Sequence, residues 1–163
     1  MAGIFSVTVE EIIKQLNMEI IYAPENISSL VVTENDCNRP GLQLMGFYEY
    51  FNAERVQICG NMEFAYLASL DEKTRYERID ALFIVARGHE LYPEMVEIAK
   101  KYGVPIARTQ DSTTAFIAAL IGYLNVELAP RITRHGVLIE VYGEGILIVG
   151  ESGVGKSETA IEL

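Results

Sequence analysis

Apolar and polar positions along the chain switch repeatedly between a helical and an extended period. Thr8-Val9-Glu10-Glu11 sets a threonine three residues ahead of a glutamate, with Ile12, Ile13 and Leu16 following on one face. That is the pattern of a helix opened by a reciprocal side-chain cap. Leu30-Val31-Val32 reads as a short strand, and the polar run Glu34–Gly41, which holds Pro40, reads as a turn before Leu42-Gln43-Leu44-Met45. Val56–Cys59 predicts a strand that ends at Gly60-Asn61, where a helix carrying Phe64, Leu67 and Ala68 begins. Ala81–Ala86 is short and nearly all apolar, as a strand buried on both faces is.

The next helix is punctuated at both ends. Pro93 fits its first position, Met95, Ile98, Ala99 and Tyr102 form the stripe, Lys100 and Lys101 suit the last turn, and Gly103 stops it. Val104–Ala107 predicts a strand, with Pro105 marking an edge or an end. Asp111 or Ser112 then caps a helix with Phe116, Ile117, Leu120, Ile121, Leu124 and Leu128 at helical spacing. Strands and helices in this order predict an α/β fold with a mostly parallel sheet.

The texture changes between Asn125 and Thr133, where Ala129-Pro130 breaks the helix. Beyond it, Val137–Tyr142 and Ile146–Val149 flank Gly143-Glu144-Gly145 and predict a hairpin. Two domains are expected: residues 1–130 as an α/β domain, and residues 131–163 as a hairpin, a glycine-rich loop and the first turns of a helix.

Composition narrows the function classes. The chain has 163 residues, 50% of them apolar, so a packed core is affordable. Thirteen basic against twenty-three acidic side chains give a formal charge of −10, carried as −8 by residues 1–130 and −2 by 131–163. Neither part offers the clustered positive charge that binding to nucleic acid or an anionic membrane requires. The longest apolar run, Ala115–Leu124, is half of the roughly 20 residues a membrane span needs. Cys37 and Cys59 do not form a CxxC pair. No targeting segment is expected at the start, because Met1–Val9 has no basic region and Glu10-Glu11 interrupt any apolar stretch. Together these features predict a soluble cytoplasmic protein with reduced thiols.

One motif carries chemistry. Gly150-Glu151-Ser152-Gly153-Val154-Gly155-Lys156-Ser157 matches G-x-x-x-x-G-K-[ST] at every fixed position, between an apolar strand and a helix. Its glycines allow the backbone to curl around phosphate oxygens at a helix N-terminus. Lys156 is placed to meet the β- and γ-phosphates, and the Ser157 hydroxyl to hold Mg²⁺. The loop alone specifies phosphate binding and leaves the reaction open.

The flanking residues resemble a family. His135-Gly136-Val137-Leu138-Ile139-Glu140-Val141-Tyr142-Gly143 leading into Gly150–Ser157 and Glu158-Thr159-Ala160 is similar to the bacterial HPr kinase/phosphorylases. Arg39-Pro40-Gly41-Leu42-Gln43-Leu44 and Glu54-Arg55-Val56-Gln57 resemble that family's N-terminal domain, which is like a domain of the Mur ligases. The resemblance implies a cytoplasmic, hexameric enzyme of carbon catabolite repression. It would use ATP or pyrophosphate with Mg²⁺ to phosphorylate a serine of the phosphocarrier HPr, and would remove that phosphate by phosphorolysis. It maps the nucleotide site onto Gly150–Ser157, the metal-binding hydroxyl onto Ser157, and the active-site histidine and lysine onto His135 and Lys156.

The family's carboxylate base, its acidic metal ligands and its HPr-docking elements lie beyond the loop. The resemblance therefore predicts a truncated P-loop kinase domain and an N-terminal fragment that does not turn over alone. About eight residues follow the loop, fewer than the ~12–15 that an isolated helix needs. Two other readings compete: residues 1–130 as a regulatory or assembly module, and a different P-loop kinase or hydrolase. Elsewhere, His89 is expected to be a solvated loop histidine, and Arg39-Pro40-Gly41 a turn. Tyr48, Tyr50 and Phe51 are expected in a core or domain interface, Cys59 in the core, and Cys37 as an exposed loop thiol.

Overall fold

A computed structural model of the chain describes residues 5–79, 85–131 and 133–162. The chain divides into two compact units, Met1–Ala129 and Pro130–Leu163.

The first unit opens with β1 (Val7–Thr8) and α1 (Val9–Gln15). Thr8 caps α1 as its sequence requires. The threonine Oγ1 accepts the Glu11 N–H at 3.2 Å, and a Glu11 carboxylate oxygen accepts the Thr8 N–H at 2.9 Å. Next come β2 (Glu19–Tyr22), a single 3₁₀ turn at Ile27–Ser29, β3 (Val31–Val32), β4 (Cys37–Asn38) and α2 (Gly41–Leu44). After β5 (Val56–Cys59) and α3 (Asn61–Ala68) the chain forms α4 (Glu72–Ile79) and β6 (Val85–Arg87). Residues 81–84 of the expected Ala81–Ala86 strand lie outside the described residues. α5 (Pro93–Tyr102) has Pro93 in its first turn and ends at Gly103, whose φ of 66° is left-handed, as the stop signal requires. β7 (Ile106–Thr109) and α6 (Thr113–Glu127) complete the unit, with Ser112 Oγ accepting the Ala115 N–H at 3.2 Å.

Five strands form one sheet in the order β2-β7-β6-β5-β4. β4, β5, β6 and β7 run parallel, while β2 joins the edge antiparallel to β7. No strand was expected at Glu19–Tyr22. What fixes it is distant in sequence: Glu19 sits directly across from Arg108, and the carboxylate takes the guanidinium in two bonds of 2.8 and 2.9 Å. A separate two-stranded ribbon pairs β1 with β3.

Consecutive parallel strands that advance in one direction place their right-handed crossover helices on one face of a sheet. The packing agrees. Leu44, Phe64, Leu67, Ile79, Met95, Ile98 and Ala99 from α2–α5 pack with Cys59 and Ile106 in one cluster. Ile12 from α1 and Phe116, Leu120 and Leu124 from α6 pack with Ile58 in the other. Adjacent residues Ile58 and Cys59 serve opposite faces, the period-two signature of a strand covered on both sides.

Several local expectations change. Leu42–Leu44 is helical, because the buried Pro40 starts a turn of α2 where the sequence suggested only a break. Cys37 is half-buried in β4, paired with Val56, and burial pushes its thiol pKa up. Cys59 is fully buried, as expected. Tyr50 is 92% exposed and Tyr48 is also exposed, whereas Phe51 packs against the first cluster.

The second unit is a hairpin, β8 (Gly136–Val141) and β9 (Glu144–Val149), followed by a loop and α7 (Lys156–Glu162). The turn is not the expected Gly143-Glu144-Gly145: Glu144 and Gly145 pair within the ladder, and Tyr142 (φ 53°) and Gly143 (φ 84°) form a two-residue turn, where φ above zero at both positions matches strand twist. α7 lies near both strands, so this short helix does not stand alone.

Candidate functional site

Residues Gly150–Gly155 leave the end of β9 and enter α7 at Lys156. Gly153 and Gly155 adopt φ of 85° and 84°, conformations that a side chain would strain. A Cβ at Gly150 would come within 3.1 Å of the Val154 side chain. Two left-handed residues in six bend the chain sharply between strand and helix. That bend is the reason for glycine at these places.

Lys156 folds back over the loop. Its Nζ donates to the Gly150 carbonyl at 3.0 Å and to the Glu151 carbonyl at 2.6 Å. Ser157 follows at the second position of α7 and is exposed, as are Glu151, Ser152 and Val154. Thr159, which the motif does not specify, ties the helix to the loop: its Oγ1 and its N–H both reach the Gly155 carbonyl at 3.0 Å.

His135 lies far from this loop in sequence. The hairpin register brings it there. Gly136 pairs with Val149 as the last rung of the ladder, so His135 directly precedes one strand of that rung and Gly150 directly follows the other, where the loop opens. The backbones are close at this point, since a Cβ on Gly136 would meet the Ile148 carbonyl oxygen at 2.7 Å. His135 is exposed at the strand entrance. Thus Gly150–Ser157 and His135 occupy one end of the hairpin.

A second cluster lies at the carboxyl ends of the parallel strands in the first unit, where α/β proteins commonly bind ligands. His89, expected to be solvated, is half-buried and stacks on Phe64 with ring centroids 4.3 Å apart. Its Nε2–H donates to Asn61 Oδ1 at 2.9 Å. Arg39 pairs with Glu63 at 2.9 Å, and the same carboxylate accepts the Gly60 N–H at 2.8 Å. Burial raises the pKa of the Glu63 carboxyl, but the Arg39 and backbone bonds outweigh it and hold it below the usual carboxylate value. Arg108 is committed to Glu19. These partners satisfy one another, so the cluster acts as a clamp between elements. Residue types alone do not distinguish it from a ligand site.

Two family models match almost the whole chain. "HPr Serine kinase N terminus" covers residues 7–124 and "HPr Serine kinase C-terminal domain" covers 126–163. The chain belongs to the HPr kinase family. Similar relatives include the HPr kinase/phosphorylases of Caldicellulosiruptor bescii (50% identical, covering 98% of this chain and 53% of the relative) and Alkaliphilus metalliredigens (48% identical, covering 97% and 53%). The enzyme of that name from Lachnoclostridium phytofermentans is 45% identical over 98% of this chain and 54% of its own length. The chain thus spans about half the length of these relatives. Among solved structures, the CBS and DRTGG domains of the regulatory region of Clostridium perfringens pyrophosphatase, complexed with diadenosine tetraphosphate, share the fold. The TM-score is 0.53 with 15% identity, over 76% of this chain and 50% of that one. No helix among the described residues is long and apolar enough to cross a membrane.

Proposed function

We propose that the protein to which these residues belong transfers a phosphoryl group from ATP or pyrophosphate to a serine of HPr, and returns it to inorganic phosphate. In this reading, residues 1–130 are the Mur-ligase-like α/β domain and 131–163 open the P-loop kinase domain of a cytoplasmic hexamer. The observation that carries the reading is the geometry around Lys156. A cation is held over two carbonyls by a loop with two left-handed glycines, at the hairpin end that His135 shares. Phosphate oxygens would replace those two carbonyls as partners of Nζ, so the lysine moves its charge onto the β- and γ-phosphates without leaving the loop.

Among the described residues no three His, Cys, Asp or Glu side chains gather as a metal centre. Mg²⁺ takes one or two protein oxygens and fills its shell with phosphates and water. The Ser157 hydroxyl is the protein oxygen this segment would supply. The ion would neutralise charge on the transferring phosphate.

In the kinase direction the HPr seryl oxygen attacks the γ-phosphorus, the bond from that phosphorus to the leaving phosphate oxygen breaks, and the seryl proton passes to a base. In phosphorolysis an oxygen of inorganic phosphate attacks the phosphoserine phosphorus, the bond from that phosphorus to the seryl oxygen breaks, the seryl oxygen takes up a proton to restore the HPr hydroxyl, and pyrophosphate leaves. His135 would sit beside the phosphates in both directions. These 163 residues alone are proposed to bind phosphate without turnover, since they correspond to half of the relatives' length. The test is HPr phosphorylation by a protein of the relatives' full length with ATP and Mg²⁺. Lys156→Ala should lower kcat by at least about 10²-fold. Retained activity in that variant would refute the assignment.

A further inference from the structure

A loop that grips polyphosphate draws on positive charge, and residues 131–163 are short of it. They carry three basic side chains, Arg131, Arg134 and Lys156, against five acidic ones, Glu140, Glu144, Glu151, Glu158 and Glu162. The motif G-x-x-x-x-G-K-[ST] ends at Ser157 and gives no reason for an acid at the next position. A carboxylate beside a phosphate site opposes the binding of a further anion.

Glu158 is an acid that the structure places at the loop. A Cβ built on Gly155 would lie 3.7 Å from Glu158 Oε2, so the carboxylate folds back from α7 toward the last loop residue. The side chain is exposed. Lys156 does not neutralise it: Nζ donates to the Gly150 and Glu151 carbonyls, and among the described residues no ion pair joins Lys156 to Glu158. The adjacent Ser157 hydroxyl is the oxygen proposed to hold Mg²⁺. An uncompensated carboxylate here acts differently on two forms of one ligand. It repels a bare phosphate chain. Against the Mg²⁺ complex the net negative charge is smaller, and the carboxylate attracts the cation.

We propose that Glu158 determines which form of the ligand this loop accepts: its carboxylate discriminates against metal-free polyphosphate in favour of the Mg²⁺ complex. The inference rests on the phosphate-loop reading and deepens it. Because the carboxylate is exposed, its effect is a modest bias that salt screens.

The test measures pyrophosphate binding to the 163-residue chain by titration calorimetry, once with Mg²⁺ and once with the metal chelated. Glu158→Gln should tighten metal-free binding about fivefold and change binding of the Mg²⁺ complex less than about twofold, so the gain that Mg²⁺ confers shrinks. Glu158→Lys should tighten metal-free binding further, and high salt should reduce both differences from wild type. Glu144→Gln is the control for overall charge. Glu144 pairs with Val141 at the turn end of the ladder, about 17 Å from the Gly136–Val149 rung and beyond the screening length of about 8–10 Å, so neither affinity should change by more than about 1.5-fold. Unchanged metal-free binding in both Glu158 variants, equal tightening of both ligand forms by Glu158→Gln, or an equal effect of Glu144→Gln would overturn the inference and leave the phosphate reading standing. No binding by wild type with Mg²⁺, or binding that Lys156→Ala leaves unchanged, would overturn that reading and this inference with it.

Discussion

The two units use similar local patterns and arrive at opposite surfaces. In the first, both faces of a five-stranded sheet are covered, and Leu44, Cys59, Leu67, Leu120 and Leu124 lose all their exposure. In the second, no described residue is buried: Leu138 is 72% exposed, Val149 59% and Ile161 86%. Yet Val137–Tyr142 and Ile146–Val149 are as apolar as any strand of the first unit. Alternation therefore specifies a strand, while burial depends on what stands opposite. The first unit carries its own core, and the second is held by its ladder and turn. The glycine-rich loop on such a base draws its shape from glycine geometry more than from packing.

Removing bulk from the covered face tests the contrast most severely. Phe116→Ala and Leu120→Ala should each lower the unfolding free energy of the first unit by about 3–5 kcal/mol, read by urea titration. A loss below 1 kcal/mol would mean that the α6 face is not a packed core. A smaller effect is expected at Glu63. Replacing it with glutamine leaves Arg39 without its counter-charge and weakens the Gly60 contact, at a cost of about 1–3 kcal/mol.

The same residue predicts a pH response. Its folded pKa lies below the unfolded value of 4.5, so its contribution is complete above that value and disappears as pH falls through the lower, folded one. Urea midpoints between pH 6 and 3 should fall less steeply in Glu63→Gln than in wild type. An identical slope would show that Glu63 titrates as if unpaired.

At the N-terminal cap, Thr8→Ala should cost about 1 kcal/mol by the same titration. Leu138→Ala, in the second unit, closes the series: at 72% exposure it should shift stability by less than about 0.5 kcal/mol. A loss equal to that of Leu120→Ala would erase the distinction between the units.

Much of this contrast was readable in advance, unevenly. The Thr8 cap, the Pro93-to-Gly103 helix, the Ser112 cap and the existence of the hairpin rest on neighbours within a few positions, and the structure forms each one, with the hairpin's turn one residue earlier than the expected Gly143–Gly145. The glycine-rich loop belongs with them. Its motif supplied the candidate residues, and the family match came from residues on both sides of it. The antiparallel edge strand was illegible because Glu19–Tyr22 owes its place to Arg108. His89 was misjudged because its partners, Phe64 and Asn61, come from a helix that precedes it by more than twenty residues.

The amino-acid order alone thus determined where helices start and stop, where the chain turns left-handed, and that one loop has the composition of a phosphate cradle. Steric and capping preferences act over one to four residues and need no distant partner. Tertiary structure decided which apolar residues are covered, that the hairpin's last rung joins Gly136 to Val149 where the loop opens, and that the five-stranded sheet takes an antiparallel edge. These depend on strand register and on pairs such as Glu19 with Arg108, 89 positions apart, whose meeting is an outcome of the whole fold.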